Sequence, residues 1–247
     1  MSIYQNPTII RIGDFFFKYR NKVFPLIIVL LFLTAPPPTT VFGEEGYEVL
    51  KDWLMFGVSV AGLVIRGMVI GFAYIKRGGK NKEVYADKLV TEGMFSTCRN
   101  PLYFGNMLIY IGIFIEHGDP LIIFTGIPLF YFIYICIIAT EENYLRKKFG
   151  GQYDDYAAVT NRWVIDFSKF RTATKDMHFN FMKVIIKDYP TIFTTILIFL
   201  LIEQYENFAG NEEHSLGYKL LLMISSLGCF AMMGVVRYMK KKKFITF

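Results

Sequence analysis

Apolar residues occur along this chain in long blocks separated by short polar stretches. Six blocks are long enough, or nearly so, to cross a hydrocarbon core of about 30 Å as a helix that rises about 1.5 Å per residue. These blocks are residues 23–35, 53–75, 102–115, 121–139, 192–202 with their flanks, and 216–236. The pattern predicts an all-α integral membrane protein with about six transmembrane helices.

Charged residues divide the connecting segments into two kinds. Lys and Arg concentrate in residues 11–22, 76–99, 146–187 and 240–243, whereas acidic residues dominate residues 44–48, 116–119 and 206–213. Cytoplasmic loops of membrane proteins carry an excess of Lys and Arg. The alternation therefore predicts a multi-pass protein with both termini in the cytoplasm. Anionic lipid headgroups account for the net charge of +6, so no nucleic-acid partner is expected.

A polar, turn-forming stretch at residues 89–100 runs directly into the third apolar block. Pro101 suits the first position of a helix because its missing N–H would have no partner there, and Asn100 before it suits the N-cap. Gly105 leaves space for a second backbone or a ligand to approach this helix. We therefore expect a helix to begin at Pro101 and to make a close contact around Gly105.

Two adjacent glutamates, Glu141 and Glu142, follow the fourth apolar block. Only residues 116–120 join the third block to the fourth, so the two helices should form an antiparallel hairpin. The hairpin returns the glutamates to the end where Arg99 and Asn100 lie. Paired carboxylates are unusual on a cytoplasmic face rich in Lys and Arg. Their position opposite Arg99 favours a binding site over an ordinary solvated surface.

Arg66 and a group of aromatic residues are the other features with functional meaning. Arg66 lies inside the second block, where it is either a functional residue, here assigned to substrate binding, or a side chain that extends to the cytoplasmic interface. Tyr153, Tyr156 and Trp163 suit an amphipathic helical cap on the cytoplasmic membrane surface, where core packing explains them as well as ligand contact does.

The cysteines and histidines set limits on the chemistry. The three residues of each type lack C-x-x-C or metal-ligand spacing, so the sequence predicts neither a disulfide framework nor a metal site. Cys98 lies next to Arg99 and could be a nucleophile, but we prefer to interpret it as a small packed residue.

Four segments, taken together in their order and spacing, resemble a known superfamily. They are LVTEGMF at residues 89–95, RNPLYFGN at 99–106, EENYL at 141–145 and FGGQYDDY at 149–156. The resemblance is to the isoprenylcysteine carboxyl methyltransferase and phospholipid methyltransferase superfamily, and it covers about residues 53–166. It suggests three parts: residues 1–52 with an N-terminal interfacial helix, the first crossing and an exterior loop, a methyltransferase-like membrane core at 53–171, and an additional C-terminal transmembrane helix pair at 172–247.

The resemblance implies a methyltransferase that uses S-adenosylmethionine in a pocket at the cytoplasmic membrane surface and takes a lipid or lipidated acceptor from the bilayer. It places Asn100, Pro101, Tyr103 and Gly105 in the pocket wall, and Glu141 and Glu142 at the cofactor's amino group and ribose hydroxyls. The predicted catalytic residues are Arg99, Glu142 and Arg162. Arg162 would hold an anionic acceptor, and Glu142 would act as a base if the acceptor were an amine.

Two positions depart from the family pattern. Asn100 stands where His is commoner, and Thr160-Asn161-Arg162 stands where the family has Val-Pro-Arg.

Two alternative functions also remain open. Sterol reductases share an Arg-His-Pro-Asn-Tyr-x-Gly stretch, which suggests a membrane reductase that uses NADPH, and a non-catalytic membrane protein is the other. The glutamate pair and the short chain favour methyl transfer to a lipid-linked carboxylate or a lipid amine.

Overall fold

A computed structural model describes residues 3–40, 43–72, 84–175, 177–209 and 215–245, apart from the side chain of Glu45. Residues 73–83, which include part of the second predicted crossing and of its basic loop, lie outside this description. The helices are α1 Pro7–Phe32, α2 Glu45–Phe72, α3 Met94–Thr97, α4 Pro101–His117, α5 Pro120–Phe149, α6 Gly151–Val159, α7 Phe170–Thr174, α8 Phe181–Ala209 and α9 Leu216–Lys241, with 3-10 turns at Ile3–Gln5 and Phe167–Lys169. The prediction of an all-α protein is confirmed for these residues.

Four of these helices are long and apolar enough to cross a membrane. They are Gly46–Phe72 within α2, Pro120–Phe149, Phe181–Ala209 and Leu216–Lys241. Helix α4 has 17 residues, or about 26 Å, which is short for a span. Helix α1 carries Lys18, Arg20 and Lys22 in its middle. The protein is therefore a membrane protein with four candidate spans, and crossings by α1 and α4 stay predictions.

Helices α1, α2, α4 and α5 alternate in direction. The Thr140 hydroxyl donates to the carbonyl of Ile10 (2.8 Å), which joins the start of α1 to the end of α5. At the other end of the bundle, Lys51 Nζ of α2 donates to the carbonyl of Glu116 at the end of α4 (2.9 Å). We call the end where α4 begins and α5 ends the site end. The α4–α5 hairpin that the short connection predicts is thus present.

Helices α8 and α9 continue the alternation. Arg66, near the end of α2, forms an ion pair with Asp188, near the start of α8. Lys240 near the end of α9 donates to the carbonyl of Ile186 (3.0 Å). The start of α1 and the end of α9 therefore both lie at the site end, as the pattern of basic segments requires. The cytoplasmic location of this end stays a prediction.

Glycine allows α2 and α4 to pack at short range. A Cβ atom at Gly105 would lie 2.8 Å from the carbonyl oxygen of Gly62 and 2.8 Å from Cγ of Arg66. The predicted close contact at Gly105 is thus confirmed, and its partner is helix α2. Lipid tails are as apolar as the core side chains, so close packing rather than removal from water holds such helices together.

Helix α2 begins at Glu45, earlier than the apolar block suggested. Its charged first turns belong to the helix because Lys51 pairs with Glu48 (3.0 Å) and Asp52 (3.2 Å). This extension places Arg66 in the part of α2 that lies toward the site end. Arg66 is 4% exposed and does not extend into solvent there.

Candidate functional site

The turn before α4 is joined to the segment that follows α6. The backbone N–H of Arg99 donates to the carbonyl of Asn161 (2.8 Å), and that of Asp166 donates to the carbonyl of Thr97 (3.0 Å). Asn100 occupies the N-cap position of α4, but its side chain makes no capping hydrogen bond. Its Nδ2 atom donates instead to the carbonyl of Arg162 (3.0 Å). The polar turn therefore serves to fix the backbone at Arg162.

Cys98 lies within this junction. It is fully buried, and its sulfur contacts the carbonyl oxygens of Arg162 (3.5 Å) and Trp163 (3.3 Å). Burial raises the pKa of its thiol to about 11. Because the thiolate is the nucleophilic form, this environment fits a packed residue.

The raised pKa gives a direct test of the Cys98 environment. We expect Cys98 to resist alkylation by iodoacetamide in the folded protein at about pH 8, where roughly a thousandth of the thiol would be ionised, against about a quarter for a free thiol. Peptide mass spectrometry would measure the modified fraction over time. The same protein unfolded in guanidinium is the control, and equal rates in both states would contradict the assignment.

Glu142 brings the three predicted catalytic residues together. Its side chain is buried, and it accepts hydrogen bonds from Arg162 Nε to Oε1 (2.8 Å) and from Arg162 Nη2 to Oε2 (3.1 Å). Arg99 Nη1 lies 3.2 Å from Oε1 of the same carboxylate. Two-point pairing of this kind fixes the orientation of a carboxylate strongly. Glu142 is therefore the shared counter-ion of two arginines.

Glu141 faces a different set of partners. The Tyr103 hydroxyl of α4 donates to Glu141 Oε1 (2.7 Å), and Glu141 is only partly buried. Arg20 of α1 interacts with the Tyr103 hydroxyl and lies near the Glu141 carboxylate. Two adjacent glutamates thus have distinct surroundings, and Glu141 is the one with exposed surface for a ligand.

Aromatic residues surround the arginines of the site. The guanidinium carbon of Arg162 lies 3.7 Å from the ring centre of Tyr4, a cation–π contact. The Tyr4 hydroxyl accepts a hydrogen bond from Trp163 Nε1 (2.9 Å). Tyr153 of α6 is buried and interacts with Arg99, and burial raises the pKa of its hydroxyl to about 12. It therefore stays protonated at neutral pH.

The structure places the predicted pocket residues on two faces of α4. Tyr103 points to Glu141 on α5, whereas Gly105 contacts Gly62 and Arg66 on α2. Residues two positions apart lie on nearly opposite sides of a helix. Tyr103 and Glu141 are therefore in contact, Asn100 and Glu142 both contact Arg162, and Gly105 lies on the other side of α4.

Arg66 forms a second polar cluster with residues of α4 and α8. Its Nε atom donates to Asp188 Oδ2 (3.0 Å), and its Nη2 atom donates to Asp188 Oδ1 and to Thr191 Oγ1 (3.1 Å). Its Nη1 atom donates to the side-chain oxygen of Asn106. Every nitrogen of the guanidinium therefore has a protein partner.

Sequence analysis missed Tyr4, Arg20, Asn106, Tyr134 and Asp188, all of which contact predicted residues directly or through one side chain. Arg20 belongs to the basic segment at residues 11–22, and the sequence does not distinguish it from Lys18 and Lys22. Asp188 lies 122 positions from Arg66. In the ranges that the structure describes, no group of three His, Cys, Asp or Glu side chains could hold a metal ion.

Comparison with known proteins bears on this geometry. Residues 55–152 match the family model for phospholipid methyltransferase. We refer to this matched segment, 98 of the 247 residues of the chain, as the phospholipid methyltransferase domain. No curated protein and no solved structure matches the chain. The match confirms the suspected superfamily, and it supports a membrane methyltransferase that acts on lipid-related substrates.

The phospholipid methyltransferase domain covers most of α2, all of α3 to α5 and the first residues of α6. It contains Arg66, Arg99, Tyr103, Glu141 and Glu142. Arg20 precedes it, and Arg162 and Asp188 follow it. The residues around the glutamate pair are therefore drawn from the domain and from both of its flanks.

Proposed function

We propose that the protein is an S-adenosylmethionine-dependent methyltransferase that methylates a lipid-linked carboxylate or a lipid amine at the cytoplasmic face of the membrane. The observation that carries the proposal is the glutamate pair of the phospholipid methyltransferase domain, which lies beside the start of α4 with Tyr103 and three arginines. In this proposal α1 and α4 also cross the membrane, which gives six crossings in all.

The residues present fit the charges of the cofactor. Glu141 offers a carboxylate to an ammonium group, and a charge-assisted hydrogen bond is the strong kind. Arg99 suits the carboxylate of the cofactor, because its buried Nε atom has no hydrogen-bond acceptor within the described ranges. A carboxylate at that position would satisfy it. We therefore assign Asn100, Pro101, Tyr103, Glu141 and Glu142 to cofactor binding, with Gly105 supporting the wall from behind.

The bound cofactor would supply an activated methyl group. The protein then has to align the acceptor and keep water out, and both tasks require a fixed framework. Arg162 remains partly exposed, with 27% of its side chain accessible, and can approach an anionic acceptor. Glu142 could take a proton from an amine only after releasing an arginine. The arrangement therefore favours an acceptor that is already nucleophilic, either a carboxylate or a neutral amine.

The cofactor assignment is tested by titrating the detergent-purified protein with S-adenosylhomocysteine in a calorimeter. We expect saturable binding, and we expect Glu141→Gln to weaken it about 10- to 100-fold, because a hydrogen bond to a charged group is lost. Asp155→Asn, a charge removal at an exposed position of α6, is the matched control and should bind as the wild type does.

Two outcomes would contradict the proposal. Wild-type affinity in Glu141→Gln would remove Glu141 from the cofactor site. Saturable binding of NADPH without binding of S-adenosylhomocysteine would indicate a membrane reductase. If the expected binding is found, labelled S-adenosylmethionine can be used to screen lipid carboxylates and lipid amines for the acceptor.

A further inference from the structure

The ion pair between Arg66 and Asp188 lies inside the helix bundle. Arg66 is 4% exposed and Asp188 is 1% exposed. Burying two charges costs several kcal/mol for each ion, and it is offset only by good geometry and additional hydrogen bonds. Here Asp188 accepts from two nitrogens of Arg66, and Thr191 donates to Asp188 Oδ1 (3.0 Å). Asp188 therefore holds the guanidinium in one orientation.

The orientation of Arg66 determines its contacts with helix α4. Its Nη1 atom donates to the side-chain oxygen of Asn106, which leaves the amide nitrogen of Asn106 to donate to the Tyr134 hydroxyl (2.8 Å). The stem of Arg66 also occupies the space beside Gly105, where a Cβ atom would lie 2.8 Å from Arg66 Cγ. The position of Arg66 thus affects both the side chains and the spacing of the first turns of α4.

The contacts continue from Tyr134 to the glutamates. The rings of Tyr134 and Tyr103 have centres 5.2 Å apart at an angle of 41°. The Tyr103 hydroxyl donates to Glu141. An unbroken series of contacts therefore runs from Asp188 on α8 through α2, α4 and α5 to Glu141 at the site end.

We propose that Asp188 is a positioning residue of the methyltransferase site, and that it acts through Arg66 and Asn106 on Tyr134, Tyr103 and Glu141. The inference rests on the proposed function where it concerns the cofactor. It gives helix α8, which lies outside the phospholipid methyltransferase domain, a part in the site. In this proposal Arg66 supports the site and does not bind substrate, since its guanidinium is already paired with Asp188 and is not free for an anionic substrate.

The test compares Asp188→Asn with the double variant Arg66→Met/Asp188→Leu. A buried ion pair can often be replaced by apolar residues of similar volume without loss of stability, whereas removing one partner is strongly destabilising. We therefore expect the double variant to unfold near the wild-type temperature and Asp188→Asn to unfold well below it. The double variant removes the Arg66 donor to Asn106, and Asp188→Asn leaves that donor without the carboxylate that orients it. Both variants should therefore bind S-adenosylhomocysteine roughly 3- to 30-fold more weakly.

If the double variant regained both wild-type stability and wild-type affinity, the proposal would be overturned. An ion pair with a merely structural role affects binding only through the stability of the protein. Asp154→Asn is the control, since it removes a carboxylate from the exposed ion pair with Arg146 (2.7 Å). It should leave both measurements unchanged.

Hydrogen–deuterium exchange of the ligand-free protein separates this inference from the proposed function. We expect exchange at residues 102–110 and 138–145 to rise in both Asp188 variants. If the wild type binds no S-adenosylhomocysteine, the cofactor assignment fails, and the exchange data still decide whether Asp188 positions these segments. Unchanged exchange in the double variant would overturn the positioning role.

Discussion

Replacing Glu142 by glutamine should lower the stability of the protein by roughly 2–3 kcal/mol and abolish the proposed binding of S-adenosylhomocysteine. Glutamine has nearly the same shape as glutamate, so the change removes charge without leaving a cavity. Arg162 and Arg99 would lose their shared counter-ion. The NH2 group of the glutamine would also face an N–H group of an arginine, so that one hydrogen bond is lost. The cost stays below that of a fully buried pair because 27% of the Arg162 side chain is accessible to water.

Thermal unfolding in detergent and calorimetric titration with S-adenosylhomocysteine would measure the two effects of Glu142→Gln. Glu92→Gln, at an exposed position, is the matched control. A double-mutant cycle with Arg162→Met would isolate the pair, and the two changes together should cost less than the sum of the single changes. A melting temperature and an affinity equal to the wild-type values would remove Glu142 from the centre of the site.

The parts of the site that sequence analysis predicted are those that depend on local chain geometry. A proline at a polar-to-apolar boundary determines where α4 begins, and the short connection between α4 and α5 brings Glu141 and Glu142 back to Arg99. The contacts of Asn100 depend on more than the local sequence. Its side chain suits an N-cap, but its Nδ2 atom donates to the carbonyl of Arg162, and its oxygen makes no capping hydrogen bond. The acceptor lies 62 positions away in the sequence.

The contacts between helices could not be predicted from the pattern of apolar residues. Helix α1 provides Arg20, and the turn before it provides Tyr4, but an apolar block does not indicate which face meets which neighbour. The pairing of Arg66 with Asp188 depends on the way α8 packs against α2. The number of membrane crossings was also hard to predict. Helix α4 is short and helix α1 is charged, so length and composition alone do not decide whether either helix crosses the membrane.

Replacing Gly105 by alanine should destabilise the protein by about 1–3 kcal/mol, the usual cost of adding atoms to a packed interior. The new Cβ atom would lie 2.8 Å from the carbonyl oxygen of Gly62, which is backbone and cannot move without displacing α2. It would also lie 2.8 Å from Cγ of Arg66. Since Arg66 orients Asn106, the displaced helix should weaken S-adenosylhomocysteine binding as well.

Gly228→Ala is the matched control for Gly105→Ala, because Gly228 lies inside α9 and a Cβ atom there would meet nothing within 4 Å. In a helix, alanine is favoured over glycine by about 1 kcal/mol, so this variant should be as stable as the wild type or slightly more stable. Thermal unfolding of the two variants in the same detergent therefore separates close packing from helix propensity. If Gly105→Ala were as stable as Gly228→Ala and bound the cofactor analogue normally, the short approach of α2 and α4 would not determine the site.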